Sequence, residues 1–129
     1  MHCRVPESAS QYSIEKEIAD RAVASLLRDL QNPPSLEELA KEVGLTTFQL
    51  SRLFGRVLWK SMPALLRERR MAEAARMLLE SNQNIGDVAI AVGYYSISAF
   101  SRAFSREIHM TASEYRRNPL PEPHKQSPQ

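Results

Sequence analysis

The sequence has few cysteines, few glycines and no long hydrophobic run. Its single cysteine, Cys3, excludes an intrachain disulfide and a thiolate cluster for zinc. No stretch approaches the roughly 18 consecutive apolar residues of a membrane span, and the N-terminus lacks the apolar run of a signal peptide. We therefore expect a cytoplasmic protein in which Cys3 is incidental.

Groups that support catalysis or metal binding are also scarce. His2, His109 and His124 are scattered along the chain, so a metal site that includes Cys3 is not expected. The sequence contains no Ser/His/Asp set, no phosphate-binding loop and no paired catalytic carboxylates. A chain of 129 residues with 43% hydrophobic content is about one small domain. The sequence thus favours a protein without enzymatic activity, cofactor or metal.

The formal net charge is only +2, but it is unevenly distributed. Residues 1–49 carry 5 basic and 8 acidic side chains, residues 50–80 carry 7 and 3, and residues 96–117 carry 4 and 2. A solvated charged surface is one interpretation of these basic segments. Their matching places in two repeats favour the other, a surface that binds a polyanion.

The positive evidence begins with an internal repeat. The segment SLEELAKEVG from Ser35 recurs as NIGDVAIAVG from Asn84, and the segments that begin at Leu50 and Phe100 continue the match after one extra residue. Each copy reads as a short helix, a turn with glycine and a second helix whose outer face keeps serine and arginine. This pattern is typical of a helix-turn-helix that reads the DNA major groove.

Apolar spacing and capping residues predict an all-α fold of seven helices without strands. The first helix begins at Ile14 and is stopped by Asn32, Pro33 and Pro34. Capping boxes are predicted at Ser35 with Glu38 and at Thr111 with Glu114, and single caps at Ser61 and Asn84. A second helix is predicted directly after Ser35. The other five cover residues 47–58, 62–81, 85–92, 97–108 and 112–117.

These helices predict two helix-turn-helix subdomains, at residues 14–61 and 82–117. A linker helix at residues 62–81 would join them, and some 19 helical residues span roughly 28 Å. It would hold the two repeats a fixed distance apart. The tails at residues 1–13 and 118–129 are rich in Pro, Ser and Gln and are expected to be disordered.

Three segments resemble one known family. The linker-helix sequence RERRMAEAARMLLES, the run from Ile85 through VGY and FSRAFSRE, and the final SEYRR resemble the DNA-binding domain of AraC/XylS-type bacterial transcription regulators. The resemblance covers about residues 14–117 and implies seven helices, with two helix-turn-helix units entering successive major-groove segments. In size the chain is similar to the stand-alone members, and a fragment of a larger regulator would look the same.

Two positions depart from the pattern of that family. Trp59 and His109 stand just beyond the two predicted recognition helices, where the family usually has glycine. If these positions stay left-handed, each residue costs on the order of 1 kcal/mol. Otherwise the helix ends differ. Ala112 also replaces a common proline, a change that the Thr111 cap should absorb.

The outer faces of the two recognition helices supply the candidate base-reading residues. They are Thr47, Phe48, Gln49, Ser51 and Arg52 in the first repeat, and Ser98, Ser101 and Arg102 in the second. Arginine can bond the guanine O6 and N7 edge, and an aromatic ring can touch a thymine methyl. The alternatives are ordinary surface residues and, for Phe48, a packing contact. The equivalence of Arg52 and Arg102 favours the DNA-binding interpretation.

A second set of residues is predicted to bind phosphate, because basic side chains and helix N-termini favour anions. This set comprises Arg56, Lys60, Ser61, Arg106, Thr111 and Arg116. Arg67, Arg69, Arg70 and Arg76 are expected to divide between solvent, partners such as Glu73 and Glu80, and the DNA backbone.

Our leading hypothesis is a transcription regulator that binds double-stranded DNA as a monomer. The resemblance further implies an activator that contacts RNA polymerase. One alternative is a DNA-repair methyl acceptor, a class of enzyme that can carry a similar domain but needs several cysteines. Another is a protein-interaction module that has lost DNA binding, which a duplex-binding assay would distinguish.

Overall fold

The computed structural model describes residues 7–118, with side chains described from residue 11. These residues form seven α-helices and no strand, which confirms the predicted fold class. The helices are α1 (Glu7–Leu26), α2 (Leu36–Val43), α3 (Thr47–Leu53), α4 (Met62–Glu80), α5 (Ile85–Ala91), α6 (Ile97–Ile108) and α7 (Ala112–Arg117). A short π-helical segment, Phe54–Leu58, continues α3.

The chain divides into two compact units, with the boundary between Arg67 and Glu68. That boundary falls inside α4, so the predicted linker helix contributes to both units rather than forming a separate part. Cys3, His2, His124 and the predicted tail from residue 119 onward lie outside the described residues. Within the described part of the chain, no helix is long and apolar enough to cross a membrane.

The core of unit 1 joins α1, α2 and the first recognition helix. Its buried side chains are Ala19, Ala22, Leu26, Leu39, Ala40, Leu50, Leu53, Phe54 and Val57. Four of these, at positions 50, 53, 54 and 57, recur at the i, i+3, i+4, i+7 spacing of one buried helix face. Ser25 is buried beside them, and its hydroxyl donates to Glu42 Oε1 at 2.8 Å. This bond ties α1 to α2.

The core of unit 2 is built in the same way but contains more aromatic rings. Its buried side chains are Met71, Ala74, Leu78, Val88, Ala89, Val92, Phe100, Ala103, Phe104 and Ala112. Phe100 and Phe104 pack with ring centroids 5.7 Å apart, and Tyr115 meets Phe104 edge-on at 5.6 Å. Ile108, at the end of α6, is only partly covered. These contacts hold α6 on α4, α5 and α7.

Side-chain caps fix where the recognition helices begin. Thr46 Oγ1 accepts from Gln49 N at 3.0 Å before α3, and Ser96 Oγ accepts from Ala99 N at 3.1 Å before α6. The predicted capping boxes at Ser35 and Thr111 are both present. Each cap satisfies backbone N–H groups that the first helical turn leaves unpaired.

Helix α1 begins and ends earlier than predicted. It starts at Glu7 instead of Ile14, so residues 7–13 are not part of a disordered tail. Apolar spacing marks only the part of a helix that packs, whereas the exposed start is supported by polar pairs such as Gln11 with Glu15 at 3.2 Å. The helix ends at Leu26 because Asp29 Oδ1 accepts from the backbone of Gln31 at 3.1 Å and holds a turn before the prolines.

The residues after both recognition helices keep the left-handed conformation. Trp59 has φ 62° and His109 has φ 68°, and each backbone N–H closes the preceding helix. A helix end without a left-handed residue at these positions is therefore excluded. Both positions carry the cost of about 1 kcal/mol that a non-glycine residue has there.

Candidate nucleic-acid interface

The exposed face of α3 presents an aromatic ring and an arginine that touch each other. Phe48 is 67% exposed, an unusual place for a large apolar ring. The Arg52 guanidinium lies 5.5 Å from the centre of this ring, which is a cation–π contact. The ring therefore restrains the arginine on the solvent side of the helix. This placement excludes the alternative that Phe48 packs in the core.

The other candidates on α3 have different surroundings. Ser51 is exposed and Thr47 is half-buried. Gln49 is exposed too, but its Oε1 accepts the backbone N–H of Thr46 at 2.9 Å in a capping box. Its carbonyl oxygen thus already serves the helix start, and base recognition by Gln49 would use the amide NH₂ group.

The face of α6 is sparser. Ser98 and Arg102 are exposed and Ser101 is half-buried. Ile97, at the first position of the helix, is 56% exposed and lies beside Gly86 of α5. A Cβ added at Gly86 would lie 3.1 Å from Ile97 Cδ1, so the missing side chain makes room for this contact. The start of α6 therefore places an apolar side chain beside α5, and its exposed polar group there is the short Ser98 hydroxyl.

Arg56, a predicted phosphate contact, lies on the π-helical segment and is bound to α1. Its Nε donates to Glu15 Oε1 at 3.2 Å and its Nη2 to Glu15 Oε2 at 2.8 Å. Glu15 raises the pKa of Arg56, and Arg56 lowers the pKa of Glu15, because each charge is hydrogen-bonded by the other. The equivalent Arg106 in α6 is exposed.

Two predicted phosphate contacts are hydroxyls at helix starts. Ser61 Oγ accepts from Ala64 N at 3.3 Å at the start of α4, and Thr111 Oγ1 accepts from Glu114 N at 3.0 Å at the start of α7. Lys60 is exposed immediately before Ser61. The hydroxyl oxygens are used as caps. Pro63 has no backbone N–H, so the first turn of α4 offers an anion fewer donors than that of α7.

Arg116, by contrast, is occupied inside unit 2. Its Nε donates to the backbone oxygen of Leu78 at 3.0 Å, and its Nη2 donates to that of Ser81 at 3.2 Å. These carbonyls belong to the end of α4, where helix geometry leaves them without partners. The contacts favour a structural role for Arg116, and its phosphate role stays a prediction.

Two of the arginines of α4 have partners within unit 2. Arg76 bonds Glu73 and also Glu80, the latter at 2.7 Å, and Arg70 lies 5.5 Å from the centre of the Tyr94 ring. The hydrogen bonds from Arg76 lower the pKa of Glu73, so the Glu73 carboxylate stays ionised at neutral pH. Arg76 thus contacts other residues of α4, and Arg70 contacts the turn before α6.

Two relevant residues were missed from the sequence. Glu15 belongs to the site because it holds Arg56, and Gly86 belongs because it admits Ile97. In the sequence, Glu15 is one of several carboxylates on α1, and Gly86 is a glycine inside a predicted helix. Neither identifies its partner, since the partners are distant in the chain.

The chain is similar in sequence to known regulatory proteins. The helix-turn-helix domain family matches residues 39–118. The regulatory protein SoxS of Salmonella typhimurium is 34% identical over 87 residues, which are 67% of this chain and 81% of that protein.

Solved structures agree on the fold. An AraC-type transcriptional regulator from Chromobacterium violaceum has a TM-score of 0.75 at 24% identity, covering 84% of this chain and 99% of that one. The DNA-binding domain of the global transcriptional factor AdpA, solved with a target DNA, has a TM-score of 0.70 at 24% identity, covering 80% and 97%.

These matches extend over most of the described residues, and they favour the regulator hypothesis over the methyl-acceptor enzyme. The chain has two helix-turn-helix units, each with a capped and exposed recognition helix. Together with the sequence matches, this structure identifies its family. The chain belongs to the AraC/XylS-type helix-turn-helix family and is a DNA-binding transcription regulator.

Proposed function

We propose that one chain binds one specific duplex site and inserts α3 and α6 into adjacent segments of the major groove. The observation that supports this proposal is the repetition of an N-capped helix with an exposed arginine at the same place, Arg52 in α3 and Arg102 in α6. An arginine at such a position can donate two hydrogen bonds to guanine. Since both helices are in one chain, a dimer is not needed.

The proposed base-reading residues are those exposed or half-exposed on the two helices. They are Thr47, Phe48, Gln49, Ser51 and Arg52 on α3, and Ser98, Ser101 and Arg102 on α6. The Phe48 ring supplies an apolar surface for a thymine methyl beside the arginine that it contacts. The second helix supplies short hydroxyls and one arginine, so it reads fewer base edges.

Phosphate contacts are proposed for residues that flank these helices, namely Arg56, Lys60, Ser61, Arg106 and Thr111. Basic side chains attract the backbone, and the N-termini of α4 and α7 present N–H groups to it. Such contacts fix the register of a protein on DNA without reading its sequence. Arg116 is left out of this set because its guanidinium bonds α4.

We also propose that the bound chain activates transcription through contact with RNA polymerase in the cytoplasm. The support for activation is the family resemblance. Transcription in vitro from a template with the preferred site tests it directly. An increase in transcript on adding the chain is expected, and a decrease would identify a repressor.

Selection of duplexes from a random pool tests DNA binding. The enriched duplex should retain the chain in excess random competitor, at one chain per duplex. The matched control is the Arg52→Ala, Arg102→Ala double variant, whose changes are on exposed side chains and should leave the fold intact. It should lose most of the preference for the enriched duplex.

Two other results would contradict the proposal. If the wild-type chain binds no duplex, the chain is a protein-interaction module. Two chains on each minimal site would instead exclude the monomeric mode while retaining DNA binding. Analytical ultracentrifugation of the complex distinguishes one chain from two.

A further inference from the structure

The ion pair between Arg56 and Glu15 joins a proposed DNA-contacting side chain to helix α1, 41 residues earlier in the chain. Both carboxylate oxygens are used, with the Nη2 to Oε2 distance at 2.8 Å and the Nε to Oε1 distance at 3.2 Å. This is the two-bond geometry with which a guanidinium also binds a phosphate group. The carboxylate therefore uses donors that a DNA phosphate would need.

Glu15 is a fixed partner, whereas Arg56 is the more exposed of the two. The Glu15 side chain is 16% exposed, compared with 49% for Arg56. Gln11 donates to Glu15 Oε2 at 3.2 Å, and Ile14 and Ile18 line the small cavity of about 220 Å³ beside the pair. The hydrogen bonds from Arg56, and then that from Gln11, lower the pKa of Glu15. The carboxylate thus remains charged and in place at neutral pH.

The second repeat has no matching carboxylate. Arg106 stands where Arg56 stands in the first repeat, and within residues 7–118 no ion pair is formed by its guanidinium. The two units thus offer two arginines at the same repeat position, one held and one exposed. The difference comes from α1, which places Glu15 beside the first recognition helix.

We propose that Glu15 is an affinity-determining residue that competes with DNA phosphate for Arg56. DNA binding by unit 1 then exchanges a carboxylate for a phosphate, and the exchange lowers affinity for every duplex, whatever its sequence. This inference rests on the phosphate contact proposed for Arg56. It predicts that removal of the Glu15 charge tightens binding, although Glu15 makes no contact with DNA.

The test uses the full chain, a fluorescent random-sequence duplex of about 25 base pairs, and anisotropy titrations at several KCl concentrations. Glu15→Gln removes the competing charge while nearly preserving shape. Glu17→Gln is the matched control, since it removes the same charge two residues away from an exposed position on α1. Arg56→Ala, alone and combined with Glu15→Gln, completes the cycle. Circular dichroism verifies that each variant is folded.

Glu15→Gln should bind about two- to fivefold more tightly than Glu17→Gln, the range that the breaking of an exposed ion pair represents. This advantage should disappear in the Arg56→Ala background. Arg56→Ala alone should weaken binding and reduce the slope of log K against log salt by about 0.9, as expected for the loss of one phosphate contact.

The outcomes separate the inference from the function on which it rests. If Arg56→Ala behaves as expected but Glu15→Gln equals Glu17→Gln, Arg56 binds DNA without competition and the inference is wrong. Weaker binding by Glu15→Gln would make Glu15 an orienting partner, which also overturns it. If the slope of log K against log salt is unchanged in Arg56→Ala, Arg56 does not bind phosphate, and both the proposed contact and the inference are wrong. A wild-type chain that binds no duplex rejects the proposed DNA binding itself.

Discussion

An arginine beside a DNA-binding helix can serve the fold or the ligand, and its contacts distinguish the two roles. Arg52 lies over an exposed ring and is itself exposed. Arg56 is held by a carboxylate, and Arg116 bonds backbone oxygens at the end of α4. An exposed ion pair can be exchanged at little cost, but a part-buried carbonyl that loses its donor is left unsatisfied.

Arg116→Ala is therefore predicted to destabilise unit 2. Two hydrogen bonds, to Leu78 O and Ser81 O, are lost, and the expected decrease in the free energy of unfolding is about 1 to 3 kcal/mol. Arg116→Lys should be almost as unstable, because an ammonium group cannot reproduce the spacing of the guanidinium donors. Urea unfolding followed by circular dichroism measures both losses.

The neighbouring exposed Arg117→Ala is the control and should leave stability nearly unchanged. DNA titrations of the folded Arg116→Lys variant supply a second measurement. A stable Arg116→Ala protein whose salt slope decreases by about 0.9 would restore the phosphate role and remove the structural one.

Trp59 and His109 show how much strain single residues contribute. Both have positive φ, and Trp59 is also 86% exposed. A side chain in the left-handed region costs about 1 kcal/mol, so the two helix ends together carry a cost on the order of 2 kcal/mol. The helix ends persist because buried residues before them, Val57 in unit 1 and Phe104 in unit 2, fix the last turns.

At the scale of elements, the two recognition helices start and stop alike but differ inside. Each begins after a capping hydroxyl and ends at a left-handed residue. The two caps, Thr46 and Ser96, are 50 positions apart, and so are the two ends, Trp59 and His109. Helix α6 is regular throughout, whereas the second half of the first recognition helix is a π-helical segment that contains Gly55, where α6 has Ser105. Glycine has a low preference for the α-helix, so the wider turn costs less there.

Gly55→Ala is predicted to stabilise unit 1. Apart from its chain neighbours and the backbone of its own helix, a Cβ at this position meets no atom within 4 Å, so alanine adds helix preference without a clash. The expected gain is about 0.5 to 1 kcal/mol. Gly44→Ala is the contrast: it has φ 78°, and the same substitution should cost about 1 kcal/mol. Urea unfolding curves of the two variants should therefore move in opposite directions.

The same change at Gly86 is predicted to depend on Ile97. The added Cβ would lie 3.1 Å from Ile97 Cδ1, so crowding should offset the helix preference in the wild-type background. Ile97→Val removes that methyl group. In the Ile97→Val background, Gly86→Ala should recover a gain of up to about 1 kcal/mol. Equal effects in both backgrounds would mean that Gly86 does not position the start of α6.

At the scale of the whole molecule, the sequence predicts what depends on short-range pattern. Both capping boxes are in place, and the buried stripe Leu50, Leu53, Phe54 and Val57 follows from helical spacing. The arginines on the outer faces then follow, because a helix with one face buried exposes the other.

Contacts between distant residues were not predictable in the same way. Glu15 and Arg56 are 41 positions apart, and Arg116 meets carbonyls 35 and 38 positions earlier. Many carboxylates and carbonyls could have been the partner, and only packing selects one. The start of α1 at Glu7 was missed for a related reason, since exposed polar residues carry no apolar period.

The two units also differ in what they offer to DNA. Helix α3 presents Phe48 against Arg52, together with Ser51 and the amide of Gln49. Helix α6 begins with Ile97, which lies beside Gly86 of α5, and its long polar side chain near the start is Arg102. Fewer groups that can bond base edges mean weaker discrimination. The first half-site should therefore carry more of the sequence preference.

Arg52→Ala is accordingly predicted to cost about 1 to 3 kcal/mol on the preferred site and to relax one base position. Arg102→Ala should lose affinity with a smaller change in base preference, because α6 has fewer side chains that can bond base edges. Selection from a random duplex pool with the wild type and both variants measures affinity and preference together. Phe48→Leu adds a control, since it removes the ring that restrains Arg52. It should weaken the base preference at the position that Arg52 reads. A second half-site that loses more preference in Arg102→Ala than the first loses in Arg52→Ala would reverse this ranking of the helices.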